Sequence, residues 1–293
     1  MSDQLVEVDG RRLKLSNLEK VLYPESGFTK GQVIDYYARI APVLLPHLRG
    51  RPVTLRRYPN GVDGSSFYEK NVARHAPEWV RTERLPTPGS SKGNEFLDFV
   101  LVEDLATLAW VANLAALELH IPQWTIGNEP DLLVFDLDPG PPATVVECCQ
   151  VALWLREELA EGGYDAWPKT SGAKGMQLYV PVEPGELDTW GYSRKLAERV
   201  AKAHPEQVIA TMARAQRPRK VFIDWDQNKP AKTTVAPYSL RARDRPTVST
   251  PITWAEVEAC DHVDDLTFTA DEVRARVEQL GDLLSYVRER PVR

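Results

Sequence analysis

The segment from Asp131 to Gly140 most constrains how this chain can fold. Four apolar residues lead into Asp136 and Asp138, and Pro139-Gly140 then ends the run, which predicts a buried strand followed by a turn. Side chains two positions apart share a face, so these aspartates are predicted to project together, roughly 6–7 Å apart. Adjacent carboxylates lose hydration and repel, so a divalent cation is their natural counter-charge. The alternative is a solvated strand end with a turn-forming aspartate.

A second apolar run, Val221–Ile223, also ends in alternating carboxylates, Asp224 and Asp226. If its strand neighbours the first one, a third carboxylate joins the pair. Such a site suits two cations about 3.5–4 Å apart that bridge an attacking oxygen and a leaving phosphate. The spacing alone does not choose between Asp224 and Asp226.

Length and charge narrow the class of protein. With 293 residues, 43% of them hydrophobic, the chain can bury a large core as one domain or two intimate lobes. A net charge of −6 argues against a uniformly basic nucleic-acid binder. Nevertheless, the range 214–245 contains nine Lys and Arg and only three Asp. This excess predicts a local basic groove that would attract a nearby polyanion.

Cysteine usage and the N-terminus predict a cytoplasmic protein. The three cysteines, Cys148, Cys149 and Cys260, have neither a disulfide-frame nor a zinc-site pattern. The first residues lack the basic and apolar regions of an export signal, and no apolar run long enough to span a membrane is free of acidic residues. We therefore expect a reducing compartment and no membrane partner.

Two lysines near the N-terminus form a candidate phosphate pocket. A short helical turn is predicted over Ser16–Pro24, and Thr29 with Gln32 has the pattern of a capping box that begins a longer helix. Lys20 and Lys30 flank this junction, where helix amides favour anions. The alternative is a pair of ordinary surface lysines.

The glycine-rich segment Thr170–Gly175 is a second candidate phosphate site. Ser171 supplies a hydroxyl and Lys174 an ammonium on a tight turn that leads directly into a strand. This is not a Walker A sequence, and a plain glycine-rich hairpin is the alternative. Upstream, the adjacent aromatics Phe67 and Tyr68 would stack on bases if they lie on a loop, although one member of such a pair usually lies in the core.

The order of these motifs resembles the polymerase domain of bacterial DNA ligase D, within the archaeo-eukaryotic primase superfamily. The resemblance covers almost the whole chain, and no ligase or nuclease module accompanies it, so we expect a single catalytic domain over 1–293. Six segments carry it: NLEKVLYP at 17–24, PNGVDGSSFYEKN at 59–71, HIPQW at 120–124, DLD at 136–138, TSGAKG at 170–175, and VFIDWDQN with AKTTVAPYSLRAR within 221–243.

The resemblance implies an α+β, two-lobed primase-like fold with mainly antiparallel sheets flanked by helices and the active site in the cleft between them. It implies template-directed nucleotidyl transfer to a DNA primer by a DNA-dependent primase-polymerase that favours ribonucleotides. The cofactors would be two Mn²⁺ or Mg²⁺ ions. The substrates would be NTP or dNTP and DNA with a gap or break that bears a 5′-phosphate, in gap filling or end joining during repair. Sealing would need a separate ATP-dependent DNA ligase, and the location would be the bacterial cytoplasm, at the nucleoid.

The resemblance also implies roles for individual residues. The catalytic metal ligands would be Asp136, Asp138 and Asp224, which selects Asp224 over Asp226. The nucleotide pocket would contain His120, Ser171, Lys174, Gln177, Gln227, Lys232 and Arg241. The DNA 5′-phosphate would meet Asn17, Lys20 and Lys30, and the template would meet Arg57, Phe67 and Tyr68.

One position departs from the family pattern. Gln177 stands where the motif S-G-x-K-G-x-H usually has its histidine. A glutamine amide still donates a hydrogen bond to phosphate. It cannot be protonated, however, so the contact lacks the positive charge that a histidine can add.

Two other functions fit parts of the sequence. A haloacid-dehalogenase-like phosphatase also begins its site with an apolar strand ending in D-x-D, although that motif normally continues to Thr or Val where this chain has Pro139. A non-catalytic factor that binds DNA ends and recruits a ligase is the second alternative.

Overall fold

A computed structural model describes residues 3–87, 93 and 95–288, and the chain divides into two compact units. Unit 1 contains Met1–Pro122, Val235–Thr247 and Thr269–Gln279. Unit 2 contains Gln123–Thr234, Val248–Phe268 and Leu280–Arg293. The expectation of one catalytic domain over 1–293 stays a prediction.

The described residues form strands and helices throughout both units. The strands are β1 (Gln4–Val8), β2 (Arg11–Leu15), β3 (Val21–Tyr23), β4 (Phe28–Thr29), β5 (Thr54–Arg57), β6 (Phe67–Glu69), β7 (Thr82–Pro86), β8 (Phe96–Val100), β9 (Ala116–Ile121), β10 (Leu132–Pro139), β11 (Trp167–Thr170), β12 (Met176–Pro181), β13 (Val208–Ile209), β14 (Val221–Asp224) and β15 (Thr234–Val235). The helices are α1 (Lys30–Leu48), α2 (Leu105–Asn113), α3 (Val145–Glu161), α4 (Thr189–Ala203), α5 (Trp254–Glu258), α6 (Ala270–Leu280) and α7 (Ser285–Arg288). Short 3₁₀ turns cover Arg214–Gln216, Trp225–Asn228 and Val263–Leu266.

Unit 1 is built on an antiparallel sheet and the helices α1 and α2. The sheet has the order β15-β9-β5-β6, and β15 lies where the chain re-enters this unit. Hairpins β1–β2, β3–β4 and β7–β8 accompany the sheet. Two buried tyrosines of α1 tie the helix to the unit, because Tyr36 Oη donates to Tyr238 O at 2.9 Å and Tyr37 Oη to Leu117 O at 2.7 Å.

Unit 2 is built on a five-stranded sheet with the order β11-β12-β10-β14-β13. All its pairings are antiparallel except that of β13 with β14. The alternation of β10 explains how the sheet is buried. Leu133, Phe135 and Leu137 enter the main core with residues of α3 and α4, whereas Leu132 and Val134 pack on the other face beside Tyr179 and Leu284.

Several sequence predictions are confirmed. The alternating apolar residues of the range 5–15 around Asp9-Gly10 predict a hairpin, and it forms from β1 and β2. Thr29 with Gln32 makes the predicted capping box of α1. The α+β class with mainly antiparallel sheets is confirmed by the strand pairing of both sheets.

The helical turn predicted over Ser16–Pro24 is wrong. Residues Val21–Tyr23 are instead a strand that pairs with Phe28–Thr29, and Lys20 O accepts a hydrogen bond from Lys30 N at 2.8 Å. Pairing with the neighbouring strand β4 therefore prevails over local helix preference here.

Within the described ranges, no helix combines the length and the apolar character needed to cross a membrane.

Gly175 marks the closest backbone approach near the end of β10. A Cβ placed there would overlap the carbonyl oxygen of Leu137 and lie 3.0 Å from Pro139 Cδ. The turn before β12 can thus lie against β10 only because this residue has no side chain.

We predict that Gly175→Ala lowers the free energy of unfolding by about 3 kcal/mol, because the obstructing atom belongs to the backbone and cannot rotate away. Urea unfolding measures the loss. Gly185→Ala is the matched control, since no atom lies within 4 Å of its Cβ and only the positive φ of +82° opposes the change. This control should lose only about 1 kcal/mol. Equal losses in the two variants would contradict the steric explanation.

Candidate active site

One face of the unit 2 sheet carries a row of four polar residues. The strand register pairs Lys169 with Gln177, Gln177 with Asp136, and Asp136 with Asp224. Residues directly opposite each other in neighbouring strands point to the same face. Asp138 lies two residues beyond Asp136 on β10 and shares that face. The structure therefore brings the three predicted metal ligands to one place.

Asp136 lies at the centre of this row and is partly buried. Its Oδ1 accepts a hydrogen bond from Gln177 Nε2 at 3.0 Å. Burial raises the pKa of Asp136 to about 7, with the charges of Asp138 and Asp224 acting in the same direction and the Gln177 contact opposing them. The carboxylates thus disfavour one another's negative charge, which is the condition that a bound cation relieves.

Asp224 and Asp226 differ in their surroundings. Asp224 ends β14 opposite Asp136, and its two oxygens accept from Asp226 N at 3.1 Å and Gln227 Nε2 at 2.8 Å. Asp226 lies on the following 3₁₀ turn, where Lys229 Nζ is 2.6 Å and Lys232 Nζ 3.8 Å from its carboxylate. The register therefore groups Asp224, and not Asp226, with the aspartates of β10.

Asn228 fixes the turn that carries Gln227. It accepts from Val134 N at 2.8 Å and donates to Val134 O at 2.7 Å, so its side chain continues the hydrogen bonding of β10 beyond the end of β14. This pairing holds the turn after Asp224 against the strand of Asp136.

The donor chemistry of the three aspartates fits a hard divalent cation. Carboxylate oxygens are the ligands that Mg²⁺ and Mn²⁺ prefer. Within residues 3–87, 93 and 95–288, no three His, Cys, Asp or Glu side chains are already oriented as a ligand set. Oxygens of Asp136 and Asp224 instead accept hydrogen bonds from Gln177 and Gln227.

The predicted phosphate turn has a defined internal structure. Ser171 Oγ accepts from the amides of Ala173 and Gly175, both at 3.2 Å, so these amides face the turn's own serine. The Lys174 side chain is exposed. The ammonium is thus accessible, whereas the hydroxyl also shapes the turn.

Lys169 belongs to the row but carried no signal in the sequence. It is fully buried, and its Nζ donates to Ser249 Oγ at 2.5 Å and lies 5.2 Å from the Tyr179 ring centroid. A buried lysine is rare unless it is paired. The positive charge of Lys169 lowers the pKa of the nearby Asp136. Only the strand register, which the sequence does not give, reveals this placement.

The unit 1 sheet brings together residues predicted for the nucleotide and for the template. Arg56 lies opposite Tyr68 on one side and Glu118 on the other. His120 is two residues beyond Glu118, so it shares that face, and its ring contacts the Tyr68 ring edge to face at 5.6 Å. Both Phe67 and Tyr68 are exposed, at 45% and 53%, so neither belongs to the core.

The predicted template residue Arg57 is held on the same sheet. Its Nη1 donates to both carboxylate oxygens of Glu69, at 3.0 and 3.1 Å, and its guanidinium lies 5.3 Å from the Phe67 ring centroid. The ion pair and the ring contact fix the arginine beside an exposed aromatic surface.

The residues predicted for the 5′-phosphate lie close together in unit 1. Lys20 N donates to Asn17 O at 2.9 Å, and Lys30 N donates to Lys20 O at 2.8 Å. Lys20 Nζ contacts Asn60 Oδ1 at 3.2 Å, whereas the buried Lys30 Nζ donates to Ser16 O at 2.6 Å. Burial lowers the pKa of Lys30 to about 8.

The expectation that α1 amides help to bind an anion is not met. The amides of Lys30, Gly31 and Gln32 already donate to Lys20 O, Leu18 O and Thr29 Oγ1. A phosphate at this position would therefore have to be bound by the side chains and not by the start of the helix.

Comparison with known proteins identifies relatives of this chain. The LigD multifunctional non-homologous end joining protein of Mycolicibacterium smegmatis is 43% identical over 282 residues, and the bifunctional LigD of Bacillus subtilis is 33% identical over 274. These matches cover 94% and 92% of this chain but 36% and 43% of the relatives. The chain thus spans well under half of their length.

A solved structure and a family model lead to the same family. The polymerase domain from Mycobacterium tuberculosis ligase D, in complex with DNA, superposes with a TM-score of 0.86 at 40% identity, covering 95% of this chain and 99% of that one. The family model for the LigD primase-polymerase domain matches residues 29–284. Neither alternative function, phosphatase or non-catalytic end binder, is supported by these matches. The chain belongs to the LigD primase-polymerase domain family, whose members are nucleotidyltransferases.

Proposed function

We propose that this chain performs template-directed nucleotidyl transfer to a DNA primer, favours ribonucleotides, and fills short gaps or broken ends during bacterial end joining. The observation that carries this proposal is the placement of Asp136, Asp138 and Asp224 on one sheet face, in a chain whose relatives are end joining proteins. Three carboxylates from adjacent strands are the ligand type that two-metal nucleotidyl transfer requires.

Asp136, Asp138 and Asp224 would hold two Mn²⁺ or Mg²⁺ ions. When bound, such ions lower the pKa of the primer 3′-hydroxyl and neutralise charge on the departing pyrophosphate. Within unit 2, Lys174 and Lys232 are exposed cations suited to phosphate oxygens. Gln177 and Gln227 donate to Asp136 and Asp224, so in this chain they orient carboxylates, in addition to any contact with nucleotide.

Unit 1 contains the other residues that the family resemblance assigns to the substrates. His120 and Arg241 would meet the nucleotide, and Arg57, Phe67 and Tyr68 would meet the template. Exposed aromatics next to arginines suit stacking on bases and contact with phosphate. Asn17, Lys20 and Lys30 would form the pocket for the 5′-phosphate at a gap.

The relatives are end joining proteins, which supports a role in end joining. A separate ATP-dependent DNA ligase would seal the filled gap. The substrate would be DNA with a gap or break and a 5′-phosphate, and the place of action the bacterial cytoplasm, at the nucleoid.

We predict that Asp224→Asn abolishes extension of a gapped, 5′-phosphorylated duplex, by about 10³-fold or more, because a metal ligand is lost. Asp226→Asn should retain extension, because it leaves Asp136, Asp138 and Asp224 unchanged. It should raise the KM for nucleotide, because it changes the surroundings of Lys232. Extension is measured with ribo- and deoxyribonucleotides, in Mn²⁺ and in Mg²⁺, with and without a chelator. Wild-type rates for Asp224→Asn, or extension that survives chelation, would defeat the proposed chemistry.

A second prediction concerns the 5′-phosphate. Lys20→Ala should weaken binding of a gapped duplex that bears this group by about tenfold and leave the 5′-hydroxyl duplex unaffected, since one charge-assisted contact is lost. Lys20 is the sharper target, because truncating the buried Lys30 would also leave Ser16 O without its donor. Lys14→Ala is the matched control, an exposed lysine of the same unit that pairs with Asp3 at 2.7 Å. Fluorescence anisotropy measures both duplexes, and equal loss on the two would count against the pocket.

A further inference from the structure

We propose that Glu118 is a positioning residue that orients His120 and Arg241 for the incoming nucleotide. The inference rests on the proposed function, because it takes these two residues as nucleotide contacts. Neither the sequence motifs nor the predicted ligand sets include Glu118. All of the groups involved lie within unit 1.

Glu118 is a buried carboxylate that accepts from several groups at once. Its side chain is only 2% exposed. One oxygen, Oε2, lies 3.0 Å from His120 Nε2 and 3.4 Å from Arg56 Nη1. The other, Oε1, lies 3.3 Å from Arg241 Nε and accepts from Ala242 N at 3.1 Å and Tyr58 Oη at 3.5 Å. A buried carboxylate persists only when it is paired and hydrogen-bonded in this way.

The charge state of Glu118 is fixed by these partners. Burial opposes ionisation most strongly, yet the contacts with His120, Arg241 and Ala242 N hold the pKa of Glu118 at about 2. Glu118 is therefore a carboxylate at neutral pH and accepts hydrogen bonds without donating any.

This charge state determines the tautomer of His120. Because an ionised carboxylate faces Nε2, that nitrogen must carry a proton. Nδ1 is then the ring nitrogen that remains for a substrate group. Burial lowers the pKa of His120, with Arg241 and Arg56 acting in the same direction and Glu118 opposing them.

The same carboxylate fixes Arg241 through side chain and backbone together. Glu118 Oε1 contacts both the Arg241 guanidinium and the amide of the next residue, Ala242. Tyr23 Oη also donates to Arg241 O at 3.0 Å. An arginine held at two points is pre-organised, so less entropy is lost when an anion binds it.

The test replaces Glu118 by an isosteric neutral residue. In Glu118→Gln we expect the KM for nucleotide to rise by about tenfold or more, and kcat to change less than about threefold, because one carboxylate orients two binding groups. Glu103→Gln is the matched control. Glu103 is another largely buried carboxylate of unit 1, with Arg81 and Gly50 N as partners, and it lies outside the proposed nucleotide and template sets.

Nitrogen-15 NMR of the imidazoles provides a readout independent of catalysis. In the wild type the His120 signal, assigned with His120→Gln, should show its proton on Nε2. In Glu118→Gln the pKa of His120 should fall, because the charges of Arg56 and Arg241 are then no longer balanced by a carboxylate. The Tyr68 ring, which also contacts His120, supplies no carboxylate in its place. Glu103→Gln should leave the His120 pKa unchanged.

The outcomes separate this inference from the proposed function. A proton on Nδ1 in the wild type, or an unchanged KM in a folded Glu118→Gln, overturns the role of Glu118. A second outcome combines an Nε2 proton in the wild type and a lowered His120 pKa in Glu118→Gln with a wild type that extends no primer. This outcome refutes polymerase activity but still supports the orientation by Glu118. If Glu118→Gln does not fold, the wild-type tautomer still decides the inference.

Discussion

The cross-strand pairing of Asp136 with Asp224 is the interaction on which the candidate active site depends. Two carboxylates directly opposite each other in a sheet destabilise it, and Asp138 on the same face adds to the repulsion. The surrounding structure limits this penalty with Gln177 and Gln227 as donors and a buried ammonium two strands away. Such an arrangement sacrifices stability for a concentrated negative charge, which is typical of sites that bind cations.

The sequence predicted the parts of the fold whose signals are local. The capping box of α1, the hairpin at Asp9-Gly10 and the strand ending in Asp136 and Asp138 all depend on short-range chemistry. The strand β3 was missed because it is specified by a partner several residues away and not by its own residues. Resemblance selected Asp224 over Asp226, and strand register then supplied the geometric reason.

The residues that the sequence did not reveal share one property. Glu118 and Lys169 are charged side chains that are buried within strands β9 and β11. Their partners are distant in sequence, such as Arg241 for Glu118 and Ser249 for Lys169. Burial of a charge is recognisable only when those partners are known.

The environment of Lys169 has a consequence for labelling chemistry. An amine reacts with acylating reagents only when it is solvated and deprotonated, and this ammonium is fully enclosed with a hydroxyl partner. Acylation of Lys169 therefore requires local opening of the unit 2 sheet, whereas the exposed Lys174 on the adjacent turn reacts directly. The ratio of the two acylation rates, measured by mass spectrometry, therefore reports how often the edge strand β11 separates from its neighbours.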